Sequence, residues 1–107
     1  MTRVSTHILD TSLGRPAAGV AVELSADAEA IASGVTDADG RVGELWDGVL
    51  DAGVYRLTFA VADYFRQTDR EAFYPSVVID FTVAYGEQHY HVPLLLSPFG
   101  FSTYRGS

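Results

Sequence analysis

The chain predicts an all-β fold, an antiparallel β-sandwich of seven or eight short strands with one short helix. Three observations point there. Val, Tyr, Phe and Thr are frequent, and such side chains fit a pleated, half-buried surface. Apolar residues recur at every second position along several segments, the period of a strand with one buried face. Turn signals rich in Gly, Pro and Asp separate these segments, and no repeat, linker or low-complexity stretch divides them. At 107 residues the chain reads as a single domain, 1–107, long enough for one hydrophobic core.

From Arg3 to Asp10, Val4, Thr6 and Ile8 fall on one side and Arg3, Ser5, His7 and Leu9 on the other, so His7 points away from the core. Gly14-Arg15-Pro16 is a turn, Val20, Val22 and Leu24 are the inward positions of a second strand, and Ile31 to Thr36 supplies a short third. Asp37-Ala38-Asp39-Gly40 is another turn, because Asp bonds its local backbone and Gly accepts positive φ; it delivers Arg41 to the start of the Val42 to Trp46 strand. After the loop Asp47 to Ala52, the segment Gly53 to Val61 alternates Tyr55, Leu57 and Phe59 against Arg56, Thr58 and Ala60. Ala62 to Arg70 is the one helical stretch, held to about two turns by its polar composition. Strands follow at Tyr74 to Val83, His89 to Leu96 and Phe99 to Tyr104. In the histidine strand Tyr90, Val92, Leu94 and Leu96 face the core, while His89, His91, Pro93 and Leu95 face out.

Charge and composition exclude several function classes. The formal charge is −7, with seven Arg and no Lys, which argues against nucleic-acid or anionic-membrane partners, since both require a basic footprint. With no Cys there is no disulfide, thiolate metal site or cysteine nucleophile. No apolar run approaches the ~18 residues that a membrane-spanning helix needs, and the first ten residues lack the apolar core of a signal peptide. The default compartment is therefore cytoplasmic, with periplasmic open if a leader was removed.

Histidine and arginine chemistry remains. The outward side of the first and histidine strands carries Leu9, Pro93 and Leu95 beside His7 and His91, and such an apolar rim predicts cover by another subunit. The bland reading of His91 alone is an interface histidine. His89-x-His91 is a possible metal pair, but no nearby carboxylate or thiol completes it, so no metal is assigned. Asp37-x-Asp39-Gly40 opens like a calcium loop, yet Arg41 and Gly48 stand where ligands are required. There is no phosphate loop, nucleophile elbow or glycosidase-like acid pair. The ending Tyr104-Arg105-Gly106-Ser107, directly after a core-like strand, reads as a positioned tail.

Three motifs carry a resemblance. They are Thr6-His7-Ile8-Leu9-Asp10-Thr11 with Gly14-Arg15-Pro16-Ala17, then Thr36-Asp37-Ala38-Asp39-Gly40-Arg41, and the histidine strand ending in Tyr104-Arg105-Gly106-Ser107. Over nearly its whole length the chain resembles the transthyretin-like (prealbumin-like) family, in particular its hydrolase branch, the 5-hydroxyisourate hydrolases of purine catabolism. The carrier branch shares the fold and a corner similar to Leu96-Ser97-Pro98, but lacks the Tyr-Arg-Gly-Ser ending and the matching histidines. The resemblance implies an eight-stranded sandwich, paired edge to edge into a dimer and then into a tetramer with a channel between dimers. It also implies hydrolysis of 5-hydroxyisourate, a cyclic amide, with no metal or organic cofactor.

That reaction assigns His7 and His91 to acid–base work, without deciding which is the base, and Arg41 to substrate and oxyanion. Tyr104, Arg105 and Ser107 are expected to bind substrate and the terminal carboxylate of Ser107 to orient an imidazole or hold Arg105, while His89 either joins them in binding substrate or, the favoured reading, serves in a supporting or surface role. The rivals are a non-enzymatic carrier of a small aromatic ligand and a plain structural sandwich domain.

Overall fold

A computed structural model describes residues 1–107. Nine strands and one helix follow in order: β1 (Thr2–Asp10), β2 (Arg15–Pro16), β3 (Ala21–Ala26), β4 (Glu29–Val35), β5 (Arg41–Gly48), β6 (Gly53–Phe59), α1 (Val61–Gln67), β7 (Val77–Val83), β8 (Gln88–Ser97) and β9 (Gly100–Thr103). One sheet runs β2-β1-β8-β9, with β5 also paired to β1 beyond the two-residue β2; the other runs β4-β3-β6-β7. Nineteen buried apolar residues form the core between the sheets, among them Val4, Ile8, Leu24, Leu57, Phe59, Leu94 and Leu96, which are the inward positions of the alternating strands.

Three expectations are corrected. The sandwich is not wholly antiparallel, because β1 and β8 pair in parallel from Thr2↔Gln88 to Asp10↔Leu96. Two chain-distant strands are joined here, and their connection is the rest of the domain. The helix is shorter than Ala62 to Arg70, since Asp69 takes a left-handed φ of 61° and Arg70 leaves the helix for Asp10. The strand drawn from Tyr74 begins only at Val77. Pro75 has no N–H for a ladder, and the Phe73 N–H donates instead to the Pro98 carbonyl, tying this segment to the β8–β9 corner.

Asp10 is an inward position of β1 and carries a fully buried carboxylate. Arg70 Nη2 lies 2.6 Å from its Oδ2 and the Tyr64 hydroxyl donates to the same oxygen at 2.7 Å, while Ser12 Oγ and the Leu13 N–H donate to Oδ1. Burial alone would push this carboxyl up, but the four hydrogen bonds outweigh it and hold it at about 2, below the ordinary 3.8. A depressed carboxylate stabilises the fold fully above the unfolded value and loses that contribution as pH falls toward the folded one. The expected result is a loss of about 2 kcal/mol between pH ~4 and ~2 in the native chain, absent in Asp10→Asn, as read by urea unfolding across that range.

Candidate active site

The register of the first sheet sorts its outward side chains into rows. Asp47, Arg3 and His89 form one, Ser5 and His91 the next, then Arg41, His7 and Pro93, then Pro16, Leu9, Leu95 and Ser102. Adjacent strands lie about 4.8 Å apart, so neighbours within a row are within side-chain reach. The face predicted from parity thus brings His7, Arg41 and His91 together, and the parallel β1–β8 pairing brings Ser5 between the histidines.

A tight turn fixes Arg41. Asp37 Oδ1 accepts from the backbone N–H groups of Asp39 and Arg41 at 2.9 and 3.0 Å, and the Gly40 carbonyl accepts from the Ile8 N–H at 2.8 Å. Gly40 has a φ of 73°, and a Cβ there would lie 2.5 Å from the Ile8 carbonyl oxygen, so only glycine allows the turn to press against β1. The consequence is the His7↔Arg41 pairing. The Arg41 side chain is exposed and takes part in none of the ion pairs of the fold.

His91 is half-buried and held from two directions. Its Nδ1 is 2.8 Å from Ser5 Oγ, and the same oxygen is 2.8 Å from His89 Nε2. On the other side Gly106 donates its N–H to the His91 carbonyl at 2.8 Å, and its Cα lies so close to the ring that a Cβ would stand 2.5 Å from His91 Cδ2. Burial pushes the His91 pKa below its ordinary 6.5, and the charges of Arg41, His89 and His7 push it the same way. These influences favour the neutral imidazole of His91, and its Nε2 lies outside these contacts. That is the state required of a general base.

The tail behaves differently from expectation in part. The His91↔Gly106 bridge continues the Leu94↔Thr103 register, which sets Tyr104 opposite Pro93 and Arg105 opposite Val92 along the chain. Tyr104 is 58% exposed there. The Arg105 guanidinium stacks 4.6 Å over the Tyr90 ring and reaches Gln88 Oε1 at 3.2 Å, so within one chain it is turned away from His7 and His91. No ion pair of the fold includes Arg105, and Ser107 is exposed. Pro93, outward by parity, is buried because the tail lies over it. His89 is exposed and meets the site through Ser5. No three His, Asp or Glu side chains converge in a way that could hold a metal ion.

Ser5 is the residue that sequence reading passed over. Its outward parity was visible, but its partners belong to a strand more than eighty residues away whose parallel register no local signal announces.

A family model described as the HIUase/Transthyretin family matches residues 4–106. The chain belongs to this family. It is 48% identical to a 5-hydroxyisourate hydrolase of Caulobacter vibrioides, with all of both chains covered. The solved structure of Klebsiella pneumoniae 5-hydroxyisourate hydrolase superposes with a TM-score of 0.91 at 44% identity, covering 98% of this chain and 99% of that one. Sea bream transthyretin in complex with thyroxine superposes nearly as well, at 0.89, but at 34% identity, covering 97% of this chain and 94% of that one. Fold likeness within the family therefore does not separate hydrolase from carrier, and the side chains of the β1, β5 and β8 face must do so.

Proposed function

We propose that this member of the HIUase/Transthyretin family hydrolyses 5-hydroxyisourate to 2-oxo-4-hydroxy-4-carboxy-5-ureidoimidazoline. The observation that carries the reading is the convergence of a guanidinium without a carboxylate partner, Arg41, with His7 and a neutral, doubly restrained His91 on one sheet face. The near-full-length likeness to 5-hydroxyisourate hydrolases supports it.

Each step follows from ordinary side-chain chemistry. Water attacks the cyclic amide carbonyl while His91 Nε2 takes its proton. The carbonyl oxygen becomes an oxyanion beside Arg41, whose delocalised charge and forked donors also hold the flat substrate in register. The C–N bond then breaks, and the leaving nitrogen takes a proton that His7 delivers or that His91 returns. The product gains a carboxylate and a ureido group. Tyr104 and Ser107 hydrogen-bond the substrate, and Arg105 contributes through the tail it anchors on Tyr90.

A single sheet face leaves the chemistry in water, so the reading includes a homotetramer, a dimer of dimers whose facing sheets close a channel. Its support is the half-buried Leu9 and Leu95 on this face, the unpaired edges of β7 and β9, and Phe99, which is 66% exposed beside β9. The compartment proposed is the cytoplasm. The reading is tested by generating 5-hydroxyisourate from urate with urate oxidase and following its ultraviolet decay with and without the protein. Decay well above the spontaneous rate is expected; an unchanged decay with tight binding of the substrate would make the chain a carrier.

A further inference from the structure

We propose that Ser5 is a positioning residue for hydrolysis: its hydroxyl donates to His89 Nε2 and accepts from His91 Nδ1–H, which fixes His91 in the tautomer whose Nε2 lone pair faces the substrate. This rests on His91 being the base. A hydroxyl has one proton and two lone pairs, and here it meets two imidazole nitrogens at 2.8 Å each. The hydroxyl is buried and makes no third hydrogen bond, so its single proton is satisfied only by donation to one ring while it accepts from the other, and the tautomers of the two histidines are thereby tied to each other.

Of the two arrangements, one leaves His91 with a bare Nε2 and one puts a proton there. Only the first can accept a proton from water. Two features of the site select it. Arg41 stands on the same outward face, across β1, where its positive charge favours a bare lone pair over an N–H dipole on the outward nitrogen of His91. His89 is the exposed member of the pair, so its Nδ1–H finds water once its Nε2 has accepted from Ser5. Ser5 itself is 4% exposed, which keeps solvent from competing for the bridge. The Gly106 backbone against Cδ2 then leaves the ring little room to turn. His89 thereby acts through Ser5 and does not touch the substrate.

The direct test is nitrogen NMR of the histidine rings in the intact protein at a pH where all are neutral. The His91 Nδ1 resonance is expected in the protonated, pyrrole-like range and Nε2 in the bare, pyridine-like range; the reverse assignment would overturn the inference. In kinetics, Ser5→Ala and His89→Ala are each expected to lower kcat about tenfold with KM within about twofold, and the double variant to lose no more than either alone. Ser5→Thr, which keeps the hydroxyl, is expected to restore most of kcat. Losses that multiply, or a Ser5→Ala enzyme with unchanged kcat and unchanged ring resonances, would show that Ser5 is packing only. His91→Asn separates the levels. If that variant keeps normal turnover, the base assignment itself fails; if it is inactive while His91 of the native protein carries its proton on Nε2, only the role of Ser5 fails.

Discussion

Arg41→Gln lowers kcat by about 10²- to 10³-fold, the scale expected when a donor to a developing oxyanion is removed. The substitution also shifts the pH profile, in a direction set by the site. Burial lowers the His91 pKa first and the neighbouring charges lower it further, Arg41 foremost among them. Without that guanidinium one lowering influence is gone, so His91 holds its proton to a higher pH. The acid limb of kcat/KM therefore moves upward in Arg41→Gln, while Arg41→Lys retains the limb near its native position but recovers only part of the rate, because an ammonium lacks the forked geometry. A rate loss with no displacement of the limb would mean that Arg41 and His91 do not share one site. Because Arg41 is exposed and its backbone, not its side chain, closes the Asp37 turn, the thermal midpoint should stay near the native value.

Gly106→Ala lowers kcat by about 10²-fold while leaving folding nearly unchanged. The added Cβ would stand 2.5 Å from His91 Cδ2 and 3.2 Å from Pro93 Cγ, distances that force a shift. Nδ1 is tied to Ser5, so the ring cannot retreat without breaking that bridge, and a displacement near 1 Å at a reacting group is enough for such a loss. The glycine of the Tyr-Arg-Gly-Ser ending is thus required by close approach to the base. The check is kcat set beside the thermal midpoint of the same variant; a normal kcat would show that the tail gives way instead. Removing Arg105 to Ser107 should damage turnover in the same way, since it deletes the Gly106 N–H that grips the His91 carbonyl.

Much of the site could be read from parity. His7 and His91 both sit at outward positions of alternating strands, and the Asp37 to Gly40 turn, legible from its Asp and Gly residues, sets the place of Arg41. What could not be read was pairing between distant segments. Nothing local distinguishes a parallel β1–β8 ladder from an antiparallel one, yet that register alone puts Ser5 beside His91. The same limit hid the direction of Arg105, which depends on how the tail continues the β9 register past Thr103. Asp10 carried a signal that was available, a carboxylate at an inward strand position, and such a group requires a cationic partner. That the partner is Arg70, beyond the end of the helix, followed only from the fold.

Activation of water by a neutral His91 on the β1–β8 face is measured by the decay of freshly generated 5-hydroxyisourate with native protein and with His91→Asn, at equal concentration and equal measured native mass. The expected result is strong acceleration by the native protein and a loss of at least ~10²-fold in kcat for His91→Asn. Near-native turnover in His91→Asn would show that His91 is not the base.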